Sequence, residues 1–259
     1  MNLKLPLITA HSGCEHTPRD SMDSIDCAIA LGADAIEMDI RRAEHGLLYI
    51  SHDRQQGSAV NEKETLESVF RRIQHTALRF NCDIKEPSAL YGTLEMAKRF
   101  HFGPDRLILT GSVSPEMLAL EPEIMEQASV YLNIEQALKF LYMGKLSAEK
   151  NEAQFPELMN NANAFTLGML KEQNCVASLI RLIKSLHVHA LNMYHIVLTE
   201  DLAKAFQSQG IACSVWTVNE ADDQERCLRL GVDNITTVAV RSALERREQY
   251  RLSVRHSAV

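Results

Sequence analysis

Short apolar runs alternate with amphipathic stretches along almost the whole chain. The runs Leu5–Ala10, Ala33–Ile40, Leu47–Ser51, Leu78–Ile84, Arg106–Leu109, Val130–Asn133, Val188–Met193, Ile211–Val218 and Asn234–Val238 read as strands, being rich in β-branched and large apolar residues. Helical patterns fill most of the gaps. Ser24–Leu31 follows a run of Asp and Ser suited to an N-cap and is closed by Gly32. Val176–Leu186 places Leu179, Ile180, Ile183 and Leu186 on one face. Leu202–Phe206 stopped by Gly210, and Asp222–Leu230 stopped by Gly231, repeat the same grammar.

One connection breaks the strand–helix alternation. Between Ile40 and Leu47 there is no room for a helix, and Glu44-His45-Gly46 reads as a turn. The third strand then returns antiparallel and brings His52 about level with Asp39. Setting that arm aside leaves eight strands separated by helices, the count of a (β/α)8 TIM barrel of about 250 residues. The expected fold is therefore an α/β barrel with a β-hairpin excursion after the second strand, a single domain over residues 1–259. Ser147–Asn163, the most polar stretch, reads as a surface excursion between the fifth and sixth barrel strands. Arg241–Arg255 reads as a closing helix over the barrel.

Composition narrows the function classes. With 259 residues, 46% hydrophobic and 24% charged, the chain is long enough to bury a large core. A net charge of −7 argues against a nucleic-acid-binding surface. The six cysteines form no C-x-x-C pair and lie in mostly apolar segments, as buried thiols in a reducing, cytoplasmic compartment do. The first apolar run leads straight into His11, so no cleavable leader is expected, and no stretch is long enough for stable membrane insertion.

The chemistry lies at strand ends. Ala10-His11-Ser12-Gly13, Glu37-Met38-Asp39, His52-Asp53 and Asp83-Ile84-Lys85 each end or follow an apolar run. Residues two apart on a strand share a face, so Glu37 with Asp39, and Asp83 with Lys85, project the same way. In a parallel barrel such residues converge at the C-terminal mouth. Three carboxylates there repel one another unless a cation lies between them, and an oxygen-only set indicates Mg2+ or Ca2+ ahead of zinc. Histidine ordinarily titrates near pH 6.5 and can take or give a proton at neutral pH. An isolated E-x-D alternating with Ile36, Met38 and Ile40 also describes a half-exposed strand; the ordered set of four segments favours the metal site.

The whole pattern resembles the glycerophosphodiester phosphodiesterase family, within the phosphatidylinositol phospholipase C-like barrels. That family opens with H-R-G and a PENT-type tetrapeptide, continues through E-L-D, H-D and E-x-K or D-x-K, and closes with W-T-V-N and G-V-D. The counterparts here are His11 and Gly13, Glu37 and Asp39, His52 and Asp53, Asp83 and Lys85, Trp216-Thr217-Val218-Asn219 and Gly231-Val232-Asp233. The resemblance implies one divalent cation on Glu37, Asp39 and Asp83, with His11 and His52 as the general acid–base pair. It implies Lys85 as a phosphate or transition-state contact, and Trp216 as an apolar wall unless that ring is only a core residue. The implied reaction is hydrolysis of a small-molecule glycerophosphodiester to sn-glycerol 3-phosphate and an alcohol. In this family the glycerol 2-hydroxyl is thought to attack first, giving a cyclic phosphate that water then opens.

Three departures stand out. The family arginine after the first histidine is Ser12, which removes a bidentate phosphate clamp. The PENT segment is Pro18-Arg19-Asp20-Ser21, and the closing segment, Ile235-Thr236-Thr237-Val238, lacks the usual Asp. Arg19, in the loop after the first strand, is a candidate to restore the lost charge, with Arg41 and Arg42 as further candidates. His16 could touch substrate, and His187 and His189 form H-x-H without acidic or cysteine neighbours; exposed or structural roles suit all three. The altered phosphate loop keeps two alternatives open: a non-catalytic phosphodiester-binding barrel, and a lyase or phospholipase D-type activity on another diester. The alcohol group and the oligomeric state are not encoded in these motifs.

Overall fold

The computed structural model describes residues 4–149 and 162–257. Each apolar run becomes a strand: β1 (Leu7–Ala10), β2 (Ala35–Arg42), β3 (Leu48–Ile50), β4 (Arg79–Ile84), β5 (Leu107–Gly111), β6 (Ser129–Asn133), β7 (Ala190–Tyr194), β8 (Ala212–Trp216) and β9 (Asn234–Thr237). The helices are α1 (Met22–Leu31), α2 (Leu66–Ile73), α3 (Leu90–Arg99), α4 (Pro115–Leu120), α5 (Ile124–Gln127), α6 (Ile134–Glu149), α7 (Ala162–Leu170), α8 (Cys175–Leu186), α9 (Glu200–Gln207), α10 (Ala221–Leu230) and α11 (Val240–Ser257). Strands β1, β2, β4, β5, β6, β7, β8 and β9 pair in parallel in that order, and β9 pairs back to β1, which closes the barrel.

The hairpin forms as its sequence predicts. β2 pairs with β4 up to Ile40↔Ile84, then overhangs the barrel and pairs antiparallel with β3 from Ile40↔Ile50 to Arg42↔Leu48. Gly46 turns the chain at φ +92°, a left-handed value that favours glycine, and its amide donates to the Ala43 carbonyl at 2.9 Å. Beyond β3 the Ser51 amide donates to the Asp39 carbonyl at 3.0 Å, which brings His52 to the level of the β2 carboxylates.

Strand alternation sorts the barrel into two environments. Ile36, Met38, Ile40, Phe80, Cys82 and Ile84 are fully buried in the apolar core shared with the surrounding helices. The alternate residues turn toward the barrel axis, and many are polar. Thr9 donates to Asn234 Oδ1 at 2.6 Å, Asn234 donates to Ser214 Oγ at 2.9 Å, and Thr110 donates to Asn81 Oδ1 at 3.0 Å. Buried polar groups paired across strands avoid the penalty of an unmade hydrogen bond.

Outside the barrel, α1 starts at Ser21, whose hydroxyl accepts the Ser24 amide, and ends at left-handed Gly32. On α2, Leu66, Val69, Phe70 and Ile73 form one buried stripe. Phe70 meets Phe80 of β4 edge-on at 5.1 Å between ring centroids and Phe102 at 5.0 Å, fixing the stave that carries Asp83. The closing helix α11 lies against β1 and α1, with Leu244 and Tyr250 on the core. Its Arg247 pairs with Asp34 and donates to the Pro6 carbonyl at 3.0 Å. Most of the excursion expected at Ser147–Asn163 lies outside the described residues; its described edges belong to α6 and α7. No disulfide joins the six cysteines, five of which are buried. Among the described residues no helix is long and apolar enough to cross a membrane.

Candidate active site

The carboxylates meet where β2 and β4 run side by side in register, with Glu37 opposite Asn81 and Asp39 opposite Asp83. Glu37, Asp39 and Asp83 each offer an oxygen, all within 4.8 Å of one another. One hard cation with metal–oxygen distances of about 2.0–2.6 Å could touch all three. Glu37 Oε2 is buried and accepts no hydrogen bond from the described residues, its one charged neighbour given being His11 Nε2 at 3.6 Å. Oxygen-only donors with one acceptor unspent fit a Mg2+ or Ca2+ ion. Backbone shape keeps the place open: Gly111, at φ +80°, lies so close that a Cβ there would sit 2.1 Å from Asp83 Oδ1.

Lys85 supplies the countercharge. Its Nζ lies 2.7 Å from Asp39 Oδ1 and 2.6 Å from Asp83 Oδ2. Burial pulls its pKa down, but Asp83 and Asp39 outweigh burial and hold it above the ordinary lysine value. Burial pushes Asp39 up and carries Glu37 to about 7. His11 Nε2 lies 3.6 Å from Glu37 Oε2, and that carboxylate is the main reason the imidazole is raised above its usual range. The Ser12 carbonyl can only accept, so its 3.0 Å contact with His11 Nδ1 places a proton on Nδ1 and leaves Nε2 facing the site.

His52 arrives from the hairpin. Its ring is 59% exposed and its Nδ1 lies 3.2 Å from Asp53 Oδ1. Its peptide is gripped from both sides: the amide donates to Asp20 Oδ2 at 2.9 Å, and the carbonyl accepts from Arg41 Nη2 at 2.7 Å and Nε at 3.1 Å. Arg41 also pairs with Glu86 at 2.9 Å. This corrects the expectation for Arg41: its guanidinium is consumed in fastening His52 and is not free for a phosphate. Arg42 is exposed, does not line the cavity and uses its amide on Glu86.

His11, Arg19, Glu37, Asp39, His52, Asp83, Lys85 and Trp216 all line one cavity of about 540 Å3 at the barrel mouth. Arg19 reaches it by crossing Gly13, where a Cβ would sit 2.8 Å from Arg19 Cγ. The indole of Trp216 lies 5.6 Å from the ring of Tyr194. His16 is exposed and does not line the cavity, and His189 Nδ1 accepts the Val130 amide at 3.2 Å, a structural role.

Several lining residues escape the motif reading. Asn133 and Asn192, joined at 2.8 Å, and Gln136 form an amide patch on the wall. For the two asparagines the signal was a polar residue closing an apolar strand, at the end of β6 and near the end of β7. Asp20, whose grip on His52 spans 32 residues of chain, had no local signal.

The model of the glycerophosphoryl diester phosphodiesterase family matches residues 11–240. A glycerophosphodiester phosphodiesterase of Caldanaerobacter subterraneus is 22% identical over 237 residues, covering 89% of this chain and 93% of that protein. The crystal structure of a glycerophosphodiester phosphodiesterase from Thermotoga maritima superposes with a TM-score of 0.65 at 17% identity, covering 93% of this chain and 97% of that one. An Oleispira antarctica phosphodiesterase, solved with the product sn-glycerol-3-phosphate, gives a TM-score of 0.65 at 13% identity, covering 94% and 97%. A match over that span, on a closed barrel whose mouth gathers the motif residues, means that the chain belongs to the glycerophosphoryl diester phosphodiesterase family of phosphoric diester hydrolases.

Proposed function

We propose that this protein hydrolyses a glycerophosphodiester to sn-glycerol 3-phosphate and an alcohol, with one divalent cation, Mg2+ or Ca2+, held by Glu37, Asp39 and Asp83. The observation that carries the reading is the convergence of two imidazoles and a lysine on three clustered carboxylates in one cavity. The product complex of the Oleispira neighbour supports the product class. When bound, the cation would polarise a phosphoryl oxygen and lower the pKa of a nearby hydroxyl. His11 and His52 move the protons: one takes the proton of the attacking hydroxyl while the other gives one to the leaving alcohol oxygen. Lys85, kept protonated between two carboxylates, offers its charge to the phosphoryl oxygens as they gain negative charge. Arg19 approaches the diester from the β1–α1 loop, and Trp216 forms the apolar wall for the alcohol. The reading takes residues 1–259 as one domain, and the buried thiols support a reducing, cytoplasmic setting.

One observation favours a variant of this chemistry. Ser12 is 1% exposed and hydrogen-bonded to Asp20, so position 12 provides no phosphate clamp. Weaker hold on the phosphate would suit a lyase that releases the cyclic phosphate, or a barrel that binds diesters without turnover. Purified protein incubated with glycerophosphocholine, glycerophosphoethanolamine and bis(p-nitrophenyl) phosphate, in Mg2+, Ca2+ or EDTA, tests the set. Release of sn-glycerol 3-phosphate that EDTA abolishes is the expected result. Accumulating cyclic phosphate would mark the lyase, and binding without turnover of any diester would overturn the enzyme reading.

A further inference from the structure

Position 12 has lost its arginine, yet its replacement is neither exposed nor idle. Ser12 Oγ accepts the Asp20 amide at 2.7 Å and donates to Asp20 Oδ1 at 3.0 Å. One hydroxyl thus ties down both the backbone and the side chain of Asp20. The other carboxylate oxygen, Oδ2, is left to accept the His52 amide at 2.9 Å. Asp20 holds a left-handed backbone at φ +52°, a conformation that non-glycine residues adopt at some energetic expense and that Asp tolerates better than most. The surrounding contacts hold it there.

This link joins the loop after β1 to the loop after β3 across the cavity rim. His52 sits on the loop after β3, outside the parallel barrel, with a largely exposed ring. Ring packing therefore does little to position it; its peptide bonds do. Arg41 anchors the carbonyl side to the end of β2, and Asp20 anchors the amide side to the loop after β1. That same loop begins at His11, so the Ser12–Asp20 tether connects the two imidazoles through few bonds.

We infer that Asp20 is a positioning residue for His52, and that Ser12 serves in this chain as the clasp that sets Asp20 rather than as a phosphate contact. The inference rests on the proposed role of His52 in proton transfer. Its geometric half stands independently of that role. Two mechanisms for Asp20 predict different mutant behaviour. As a tether it needs only an acceptor oxygen aimed at the His52 amide, which asparagine retains. As a charge, adding to the negative field at Asp39, it needs the carboxylate.

The test uses the full chain and the variants Asp20→Ala, Asp20→Asn and Ser12→Ala. Two readouts are taken: kcat and KM for glycerophosphocholine with Mg2+, and hydrogen exchange of the His52 amide by NMR. Asp20→Ala is expected to lower kcat on the order of ten- to a hundredfold, with KM changed by about twofold at most, because a misplaced proton-transfer group affects the step rather than binding. Its His52 amide is expected to exchange about tenfold faster or more. Asp20→Asn should recover most of both, and Ser12→Ala, which retains Asp20 and only loosens it, should fall between. An unchanged His52 amide in Asp20→Ala overturns the inference, as does an Asp20→Asn variant no better than Asp20→Ala. If the wild-type protein turns over no diester, the proposed function fails by itself, and the exchange comparison still decides whether Asp20 holds His52.

Discussion

His11 Nε2 and Glu37 Oε2 face each other across 3.6 Å, one at the end of β1 and the other inside β2. Glu37 stands at about 7 because burial disfavours its charge, while His11 is raised chiefly by Glu37. Both folded-state values lie above those of the unfolded chain. Both groups therefore stabilise the fold fully only below their unfolded pKa and lose that contribution as pH rises. Metal-free protein should grow less stable from about pH 4.5 to 7 on account of Glu37, with His11 adding to the loss as pH rises past the ordinary histidine value. Urea denaturation at pH 5 and pH 8 in EDTA would show it. Added Mg2+ or Ca2+ should restore more stability at pH 8 than at pH 5, since the cation needs the ionised carboxylate.

Glu37→Gln should separate stability from metal binding. Burial disfavours the charge on Glu37, and a neutral amide at this position escapes that penalty. Replacing the carboxylate with an amide is expected to raise the melting temperature of the metal-free protein by a few degrees, while divalent affinity measured by calorimetry falls about tenfold or more. A variant that binds Mg2+ and Ca2+ as tightly as the wild type would remove Glu37 from the ligand set.

Lys85 would compete with a bound cation for Asp39 and Asp83. At ~4 Å, an ammonium and a divalent ion repel by several kcal/mol at an effective dielectric constant of about 20. Lys85→Met is therefore expected to tighten divalent binding about tenfold or more and to lower kcat on the order of a hundredfold. Weaker metal binding together with retained turnover would contradict both halves.

Gly111→Ala forces a Cβ to within 2.4 Å of the Ile84 carbonyl oxygen, as well as against Asp83, at a left-handed φ. We expect a loss of about 2 kcal/mol or more, visible in chemical denaturation, and loss of divalent binding even where the protein still folds.

Arg19→Ala tests the surviving candidate for the phosphate contact. A charge-assisted hydrogen bond contributes about 1.5–3 kcal/mol, so KM for a diester should rise tenfold or more, with kcat reduced less and metal affinity unchanged. Unchanged kinetics would make Arg19 an ordinary loop arginine.

Much of this architecture was legible because strand periodicity is local. Glu37 with Asp39 and Asp83 with Lys85 share faces by spacing alone, and all nine apolar runs became strands. The short gap between Ile40 and Leu47 was enough to announce the hairpin. Helix α2 was harder to see, since its stripe spans only eight residues and no apolar run precedes it. Arg41 shows a different limit. An arginine near a strand end can meet a ligand or a backbone carbonyl, and only the folded hairpin brings the Ser51 and His52 carbonyls within its reach. Ser12 read as a loss for the same reason: its partner, Asp20, is fixed by a loop conformation that residue types do not announce.

The β2–β3 overhang has a consequence for how this active site could change. Past Ile40 the hairpin carries no parallel barrel pairing, so the turn at Glu44-His45-Gly46 can gain or lose residues without shifting any stave. Barrel closure locks the carboxylates to their neighbours, whereas the second imidazole is held from outside the barrel by Asp20 and Arg41. The turn is thus free to vary in length while the charge cluster and the grip on His52 stay intact.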